Sequence, residues 1–261
     1  MHARGKIAVA GATGRVGRHV VDVLEERGHD VVAISRSLGV DVVTGEGLAE
    51  ALDGVETVID TATQPASEQD VATAFFTTAA RNLQEVGERA GVQRIVVVSI
   101  IGIDRFTAGF LTAKRAHEQV MLAGPIPTRI LRAAQFHEFV AQLVDWGRQD
   151  GVSYVPKIRT QLVAGRTVAE ALADLATVPD SAPAGTSTAP IPEIAGPREE
   201  HFVDMARLLA AHRGDPVRIE GVTNPADPDR DLYEQGALLP GPRATLAGPT
   251  FEEWLKSEPA N

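Results

Sequence analysis

Ile7-Ala-Val-Ala-Gly11-Ala-Thr-Gly14-Arg-Val-Gly17 decides the reading of this chain. A short apolar run ends in three glycines spaced three apart, and a segment of helical periodicity follows over residues 15–27, with Val16, Val20, Val23 and Leu24 on one face. In a strand–turn–helix unit such glycines permit a tight turn, a close approach of backbone to a pyrophosphate, and close packing of helix on strand. The N-terminus of the helix adds free N–H donors and a positive dipole end. Gly11, Thr13, Gly14, Arg15, Val16 and Gly17 are therefore candidate contacts of a dinucleotide.

Working outward, short β-branched runs alternate with helical stretches through the first 150 residues. Strands are expected at 7–10, 31–34, 40–43, 55–60, 94–99 and 128–132, and helices at 15–27, 47–52, 70–90, 109–122 and 137–146. The helix at 70–90 sets Val71, Phe75, Leu83 and Val86 on or near one stripe. The run at 94–99 is apolar on both faces, as a central parallel strand requires. This alternation means right-handed βαβ crossovers, hence an α/β fold with a doubly wound parallel sheet of the Rossmann type. Beyond residue 151 the rhythm breaks. A helix at 168–176, a loop or linker at 177–197 with five prolines and a short strand near 186–195, an amphipathic helix at 201–211, a strand at 217–220 and a terminal helix opened by the capping box Thr250–Glu253 are expected. The division is a nucleotide-binding core over 1–150 and a smaller, irregular substrate-side lobe over 151–261.

Composition bounds the function. The chain has 261 residues, 44% of them apolar, a net charge of −10, no cysteine and two tyrosines, Tyr154 and Tyr233. Without cysteine there are no disulfides, thiolate metal sites or cysteine nucleophile, and a cytoplasmic location is expected. An acidic balance argues against nucleic-acid binding. No run approaches the ~20 apolar residues of a membrane span, and the opening apolar run is too short for a signal peptide. A calcium loop is mimicked at Asp227-Pro-Asp229-Arg-Asp231, but Leu232 and Leu238 stand where the turn glycine and final glutamate belong, so it reads as a solvated loop. Ser99 follows Val97-Val98 and is no nucleophile elbow. No metal site is expected.

Cofactor preference is read at the end of the second strand, where an acid would hold a ribose 2′-hydroxyl. Ser35-Arg36-Ser37 stands there, while Asp30 sits at the opposite end. A guanidinium between two hydroxyls suits a 2′-phosphate, with Arg15 in support, so NADP (NADPH) is expected over NAD. The alternative is a solvated surface arginine.

These stretches together resemble the NmrA-like NAD(P)-binding proteins among the atypical short-chain dehydrogenase/reductases. The likeness runs through the glycine loop, 35–52, 96–102 (VVVSIIG), 111–118 (LTAKRAHE) and 132–139 (RAAQFHEF), covers residues 5–150 well, and continues weakly at 195–197, 201–209 and 249–255. It implies that Ser99 contacts substrate or cofactor, that Thr61-Ala62-Thr63 approaches the adenosine and ribose, that Lys114 holds the nicotinamide ribose, and that Gln135 and Phe136 lie near the nicotinamide. The superfamily's proton-donating tyrosine four residues before the lysine is Phe110 here. Phenylalanine has no proton to give, so in a reductase another acid or a water must replace the tyrosine, with Lys114 acting directly or His137 or Ser99 helping; His137 reads first as a capping or partly buried histidine. The expected activity is NADPH-dependent oxidoreduction of a small carbonyl or quinone-like substrate. The alternative is a non-catalytic NADP(H)-binding redox sensor that acts through a protein partner. The helices at 70–90 and 109–122 are candidate faces for a homodimer.

Overall fold

The computed structural model describes residues 5–64, 68–178 and 190–257. The first half alternates as the periodicity dictates: β1 (Lys6–Ala10), α1 (Gly17–Glu26), β2 (Asp30–Ile34), α2 (Leu48–Ala51), β3 (Thr57–Asp60), α3 (Gln69–Ala90), β4 (Arg94–Ile100), α4 (Gly109–Ala123), β5 (Thr128–Ala133) and α5 (His137–Trp146). There follow β6 (Arg148–Gln149), β7 (Val152–Pro156), β8 (Arg159–Thr160), α6 (Gly165–Thr177), β9 (Glu193–Ala195), β10 (Glu200–His201), α7 (Phe202–His212), β11 (Arg218–Val222), α8 (Arg230–Glu234), β12 (Thr245–Leu246) and α9 (Phe251–Ser257).

The central sheet is a seven-stranded parallel sheet in the order β12-β9-β5-β4-β3-β1-β2, a Rossmann-like α/β fold. All four residues of β3 are buried, as are Ile95, Val96 and Val97 of β4, because interior parallel strands are covered on both faces. The chain leaves β1 for β2 on one side, then returns past β1 to β3, so strand order reverses between β1 and β3. Ligands of such sheets bind in the crevice beyond the carboxyl ends at that reversal. The register sets these ends in one row: Ala10 lies opposite both Ile34 and Asp60, and Asp60 opposite Val97.

Contacts divide the chain into two compact units, each discontinuous in sequence. One gathers the described residues of 1–99, 109–131 and 168–191; the other gathers 100–108, 132–167 and those from 192 onward. The helix α6, from the chain's second half, lies mostly in the first unit. There Arg94 Nη1 donates to Ala176 O at 2.9 Å, Arg129 Nη1 to Leu175 O at 2.6 Å, and Arg27 pairs with Asp174 at 2.7 Å. The second unit has its own core of Val140, Val144, Val155, Leu162, Phe202 and Leu209, and two small sheets, β11-β7-β6 and β10-β8.

Several expectations change. Residues 40–43 form no strand: Val42 is buried in the core, and the carbonyls of Val42 and Val43 accept from Asn82 Nδ2 at 2.9 and 2.7 Å rather than from a neighbouring strand. The buried face of α3 is turned from the expected stripe. Val71 is 49% exposed, while Ala72, Phe76, Ala79, Ala80, Leu83 and Gly87 are buried, since small residues let α3 and α4 approach closely. The strand and short sheet at 148–156 have no counterpart in the expected pattern. Part of the proline-rich 177–197 falls on 179–189, outside the described residues, whereas β9 lies within the expected 186–195. The capping box is formed: Thr250 N donates to Glu253 Oε2 at 2.9 Å and Glu253 N to Thr250 Oγ1 at 3.3 Å.

Gln84, buried on α3, fastens the turn between α4 and β5. Its Nε2 donates to Met121 O at 2.8 Å and Ile126 O at 3.3 Å, and its Oε1 accepts from Ile126 N at 2.9 Å. Gln84→Leu should keep the volume and strand these groups, lowering the unfolding free energy by roughly 2–4 kcal/mol in urea denaturation.

Candidate functional site

The glycine loop is held by sterics. Gly11 has φ +77°, and a Cβ on it would lie 2.8 Å from the backbone of Ala62; a Cβ on Gly17 would lie 2.0 Å from Gly11 O. The Gly11 and Ala12 amides donate to Ile34 O at 2.9 and 3.1 Å, and Thr61 Oγ1 donates to Ala10 O at 2.7 Å. The ends of β1, β2 and β3 are thereby tied, and the Thr61 hydroxyl is committed to that brace. No side chain caps α1; among its first amides Arg18 N donates to Gly14 O at 3.1 Å, and the helix N-terminus presents its positive dipole end to an anion. Thr13, Gly14, Arg15 and Thr63 are exposed at this end; Val16 and Ala62 are buried. These residues fit a dinucleotide: a backbone cradle without side chains, an uncapped helix and exposed donors.

Ser35 and Ser37 bring their hydroxyls within 2.9 Å of each other, and Arg36 between them is exposed. Ser99, two residues past the register position opposite Asp60, is buried, and its Oγ has no hydrogen-bond partner. An unpaired buried hydroxyl costs free energy unless a ligand or water takes it.

On α4, Lys114 is buried. Its Nζ lies 2.9 Å from His117 Nδ1 and 4.6 Å from the centre of the Phe76 ring. His117 Nε2 in turn lies 3.0 Å from Asp60 Oδ2 at the end of β3, while Asp60 Oδ1 accepts from the Ala62 amide at 2.9 Å. His117 stacks on Phe76 at 5.2 Å, and Phe110 meets Phe76 edge-on at 5.4 Å. An ammonium only donates, so Nδ1 accepts and the imidazole proton is assigned to Nε2, facing the carboxylate. Burial pushes the Lys114 ammonium down, against the charges of Asp60 and Glu118, to about 8. Burial and then the Lys114 charge push His117 below its ordinary value, which keeps it neutral. Burial would raise Asp60, but its close contact with His117, the His117 and Lys114 charges and the Ala62 amide outweigh this and hold it low.

Lys114 is legible in the sequence, whereas Asp60 and His117 are not. The available signal was slight: a histidine three residues after the lysine, on the same helix face, and an acid ending an apolar strand. Asp229 was missed outright, since its loop was read as solvated. It is 6% exposed. Its carboxylate accepts from the Thr107 and Ala108 amides at 2.6 and 2.9 Å and from the Thr107 hydroxyl at 2.9 Å, fixing the two residues before α4. Burial opposes its ionisation, and those three donors outweigh burial. Among the described residues no cluster suited to a metal ion occurs.

Gln135 and Phe136, between β5 and α5, and His137, the first residue of α5, lie in the second unit. Gln135 Oε1 accepts from the Thr160 hydroxyl, and Phe136 bridges Val163. His137 is fully buried: its Nε2 lies 3.1 Å from Pro249 O, and its ring contacts Phe251 and Trp254 of α9. Burial drives it to about 4, against the Pro249 bond. It is neutral at pH 7 and anchors the terminal helix.

Residues 11–176 match the profile of the NAD(P)H-binding family, and the chain belongs to that family. It is 27% identical over 146 residues to the photosystem II assembly factor Ycf39 of Synechocystis sp., and 30% identical over 113 residues to a 3-beta-hydroxysteroid dehydrogenase of Mycolicibacterium neoaurum. These matches take in 50% and 35% of this chain, and only 45% and 31% of the relatives' lengths. Among solved structures, a short-chain dehydrogenase/reductase superfamily protein from Agrobacterium tumefaciens with bound NAD superposes with TM-score 0.67, at 18% identity over 96% of this chain and 95% of its own. The Bordetella bronchiseptica enzyme WbmH with NAD+ superposes with TM-score 0.68, at 16% identity over 96% of each. These likenesses show the fold.

Two outcomes follow from this geometry. Gly17→Ala should force the first turn of α1 off the loop, lower stability by roughly 1–3 kcal/mol and abolish any thermal shift with NADPH. A histidine with a depressed folded value stabilises the fold above its unfolded value of 6.5, and that contribution is lost as pH falls toward the folded value of about 4. Unfolding free energy should therefore fall between pH 6.5 and 4, and His137→Phe should flatten this slope by up to ~1.4 kcal/mol per pH unit. An unchanged slope would contradict burial of a neutral imidazole.

Proposed function

We propose that the protein is a cytoplasmic NADPH-dependent oxidoreductase of the NmrA-like, atypical short-chain dehydrogenase type, which reduces a small carbonyl or quinone-like compound without the usual tyrosine. The observation that carries this reading is Lys114. A buried ammonium is costly, and this one is retained in the same compact unit as the glycine cradle and the unpaired Ser99 hydroxyl. A bound reduced nicotinamide supplies the hydride. Lys114 binds the nicotinamide ribose and gives the substrate oxygen its proton, the task for which Phe110 has no group. An ammonium near 8 is protonated at neutral pH yet acidic enough to donate. Ser99, whose buried hydroxyl has no hydrogen-bond partner, orients the substrate.

Preference for NADPH rests on Arg36, exposed between two hydroxyls at the end of β2 where an acid would repel a 2′-phosphate. The structural neighbours named above hold NAD, so the preference is a distinct property to be measured. NADPH should stabilise the protein against heat more than NADH does at equal concentration. Arg36→Ala should shrink that preference roughly tenfold in Kd; an unchanged ratio would assign the phosphate to another residue.

Phe110 favours a second reading, a redox sensor that binds NADP(H) and reports to a protein partner, because its ring presents an apolar wall with Phe76 in place of an acid. NADPH oxidation across a panel of quinones and aromatic ketones separates the two. Turnover, accelerated by Phe110→Tyr, supports the enzyme; tight NADPH binding with no turnover across the panel supports the sensor.

A further inference from the structure

We propose that His117 and Asp60 are positioning residues for Lys114, forming a buried chain from carboxylate through neutral imidazole to ammonium that holds the proton donor in one orientation; this rests on the oxidoreductase reading above. The chain is drawn from two elements. His117 stands one turn beyond Lys114 on α4, and Asp60 ends β3, where it is also fixed by the Ala62 amide. The two links measure 2.9 and 3.0 Å, and all three side chains are no more than 5% exposed.

The order of the groups matters. A carboxylate in direct contact with Lys114 can accept two of the ammonium's hydrogens and hold them in a tight pair. An imidazole acceptor takes only one, at Nδ1, and the Phe76 ring faces the ammonium at 4.6 Å as a second, softer partner. Donor capacity is left over for a ribose hydroxyl or a substrate oxygen. Asp60 acts at one remove: its carboxylate, 3.0 Å from Nε2, favours the tautomer protonated there, which leaves Nδ1 free to accept, and its charge offsets part of the desolvation of the ammonium. The charged groups acting on Lys114 are Asp60 from β3 and Glu118 from its own helix. From α3 it meets the apolar ring of Phe76. Replacing Asp60 by the neutral isostere asparagine removes the charge while leaving an acceptor for the Ala62 amide.

The chain has only four lysines, Lys6, Lys114, Lys157 and Lys256, so lysine labelled with carbon-13 at Cε gives four signals that can be titrated by NMR in the full protein without substrate. Lys114, assigned by its loss in Lys114→Met, should titrate at about 8. Asp60→Asn should lower that midpoint by roughly one pH unit. In turnover assays the wild type should lose activity as pH rises through the Lys114 midpoint, and the same limb should move to lower pH in Asp60→Asn. His117→Ala should cut kcat roughly tenfold or more with KM little changed. His117→Gln, whose amide can accept from Lys114 and donate to Asp60, should restore most of it. The proposal is overturned if Lys114 titrates at its ordinary value, if Asp60→Asn leaves the midpoint in place, or if His117→Gln is no better than His117→Ala. A substrate panel without turnover, alongside the expected titration, would sink the oxidoreductase reading and leave the electrostatic chain standing.

Discussion

No carbon fits between residue 17 and the carbonyl of Gly11, and much of the first unit depends on that exclusion. Because Gly17 lacks a Cβ, α1 starts directly beside the end of β1, where the same Gly11 backbone also passes against Ala62 beyond β3. The loop is thus pinched between two strand ends and a helix, with its own amides tied to Ile34. Once β1 and β3 are fixed at this point, their register sets Asp60 level with Ala10 and Val97. The position of a single acid in the crevice is then decided by backbone packing several residues away.

That dependence explains which features were legible in the sequence. Glycines in a strand–turn–helix frame have a backbone reason to be where they are, and the apolar period of α1 follows from burial of one helix face, so both could be read locally. Lys114 stood out through its place in a resemblance. Its partners did not, because a histidine in a helix and an acid at a strand end acquire meaning only when the sheet brings β3 beside α4. Asp229 lies further still from local inference: its bonds to Thr107 and Ala108 span more than a hundred residues. The mistaken strand at 40–43 has the opposite cause. Val40, Val42 and Val43 carry the composition of a strand, but Asn82 satisfies the backbone there and the valines pack without pairing.

The electrostatics divide in a similar way. The chain carries a net charge of −10, yet two of its buried acids are met by specific partners: Asp60 by Lys114 across an imidazole, and Asp229 by the Thr107 and Ala108 donors. Burial penalises every one of these charges, and each is compensated by named donors or an opposite charge. The surface charge governs how the protein meets solvent and large polyanions. The interior groups govern where protons sit.

The placement of α6 bears on how the molecule is made. Asp174, Leu175 and Ala176 engage Arg27, Arg129 and Arg94, and Val168 and Leu172 are fully buried. The strands β9 and β12, later still, extend the sheet beside β5. As the chain leaves the ribosome from its N-terminus, the nucleotide-binding sheet therefore stays uncovered at the α6 position, and short of two edge strands, until well over half the chain has been synthesised. A nascent chain arrested near residue 150 would lack the α6 partners of Arg27, Arg94 and Arg129 and the apolar side chains of Val168 and Leu172, a state prone to associate with chaperones or with its own kind.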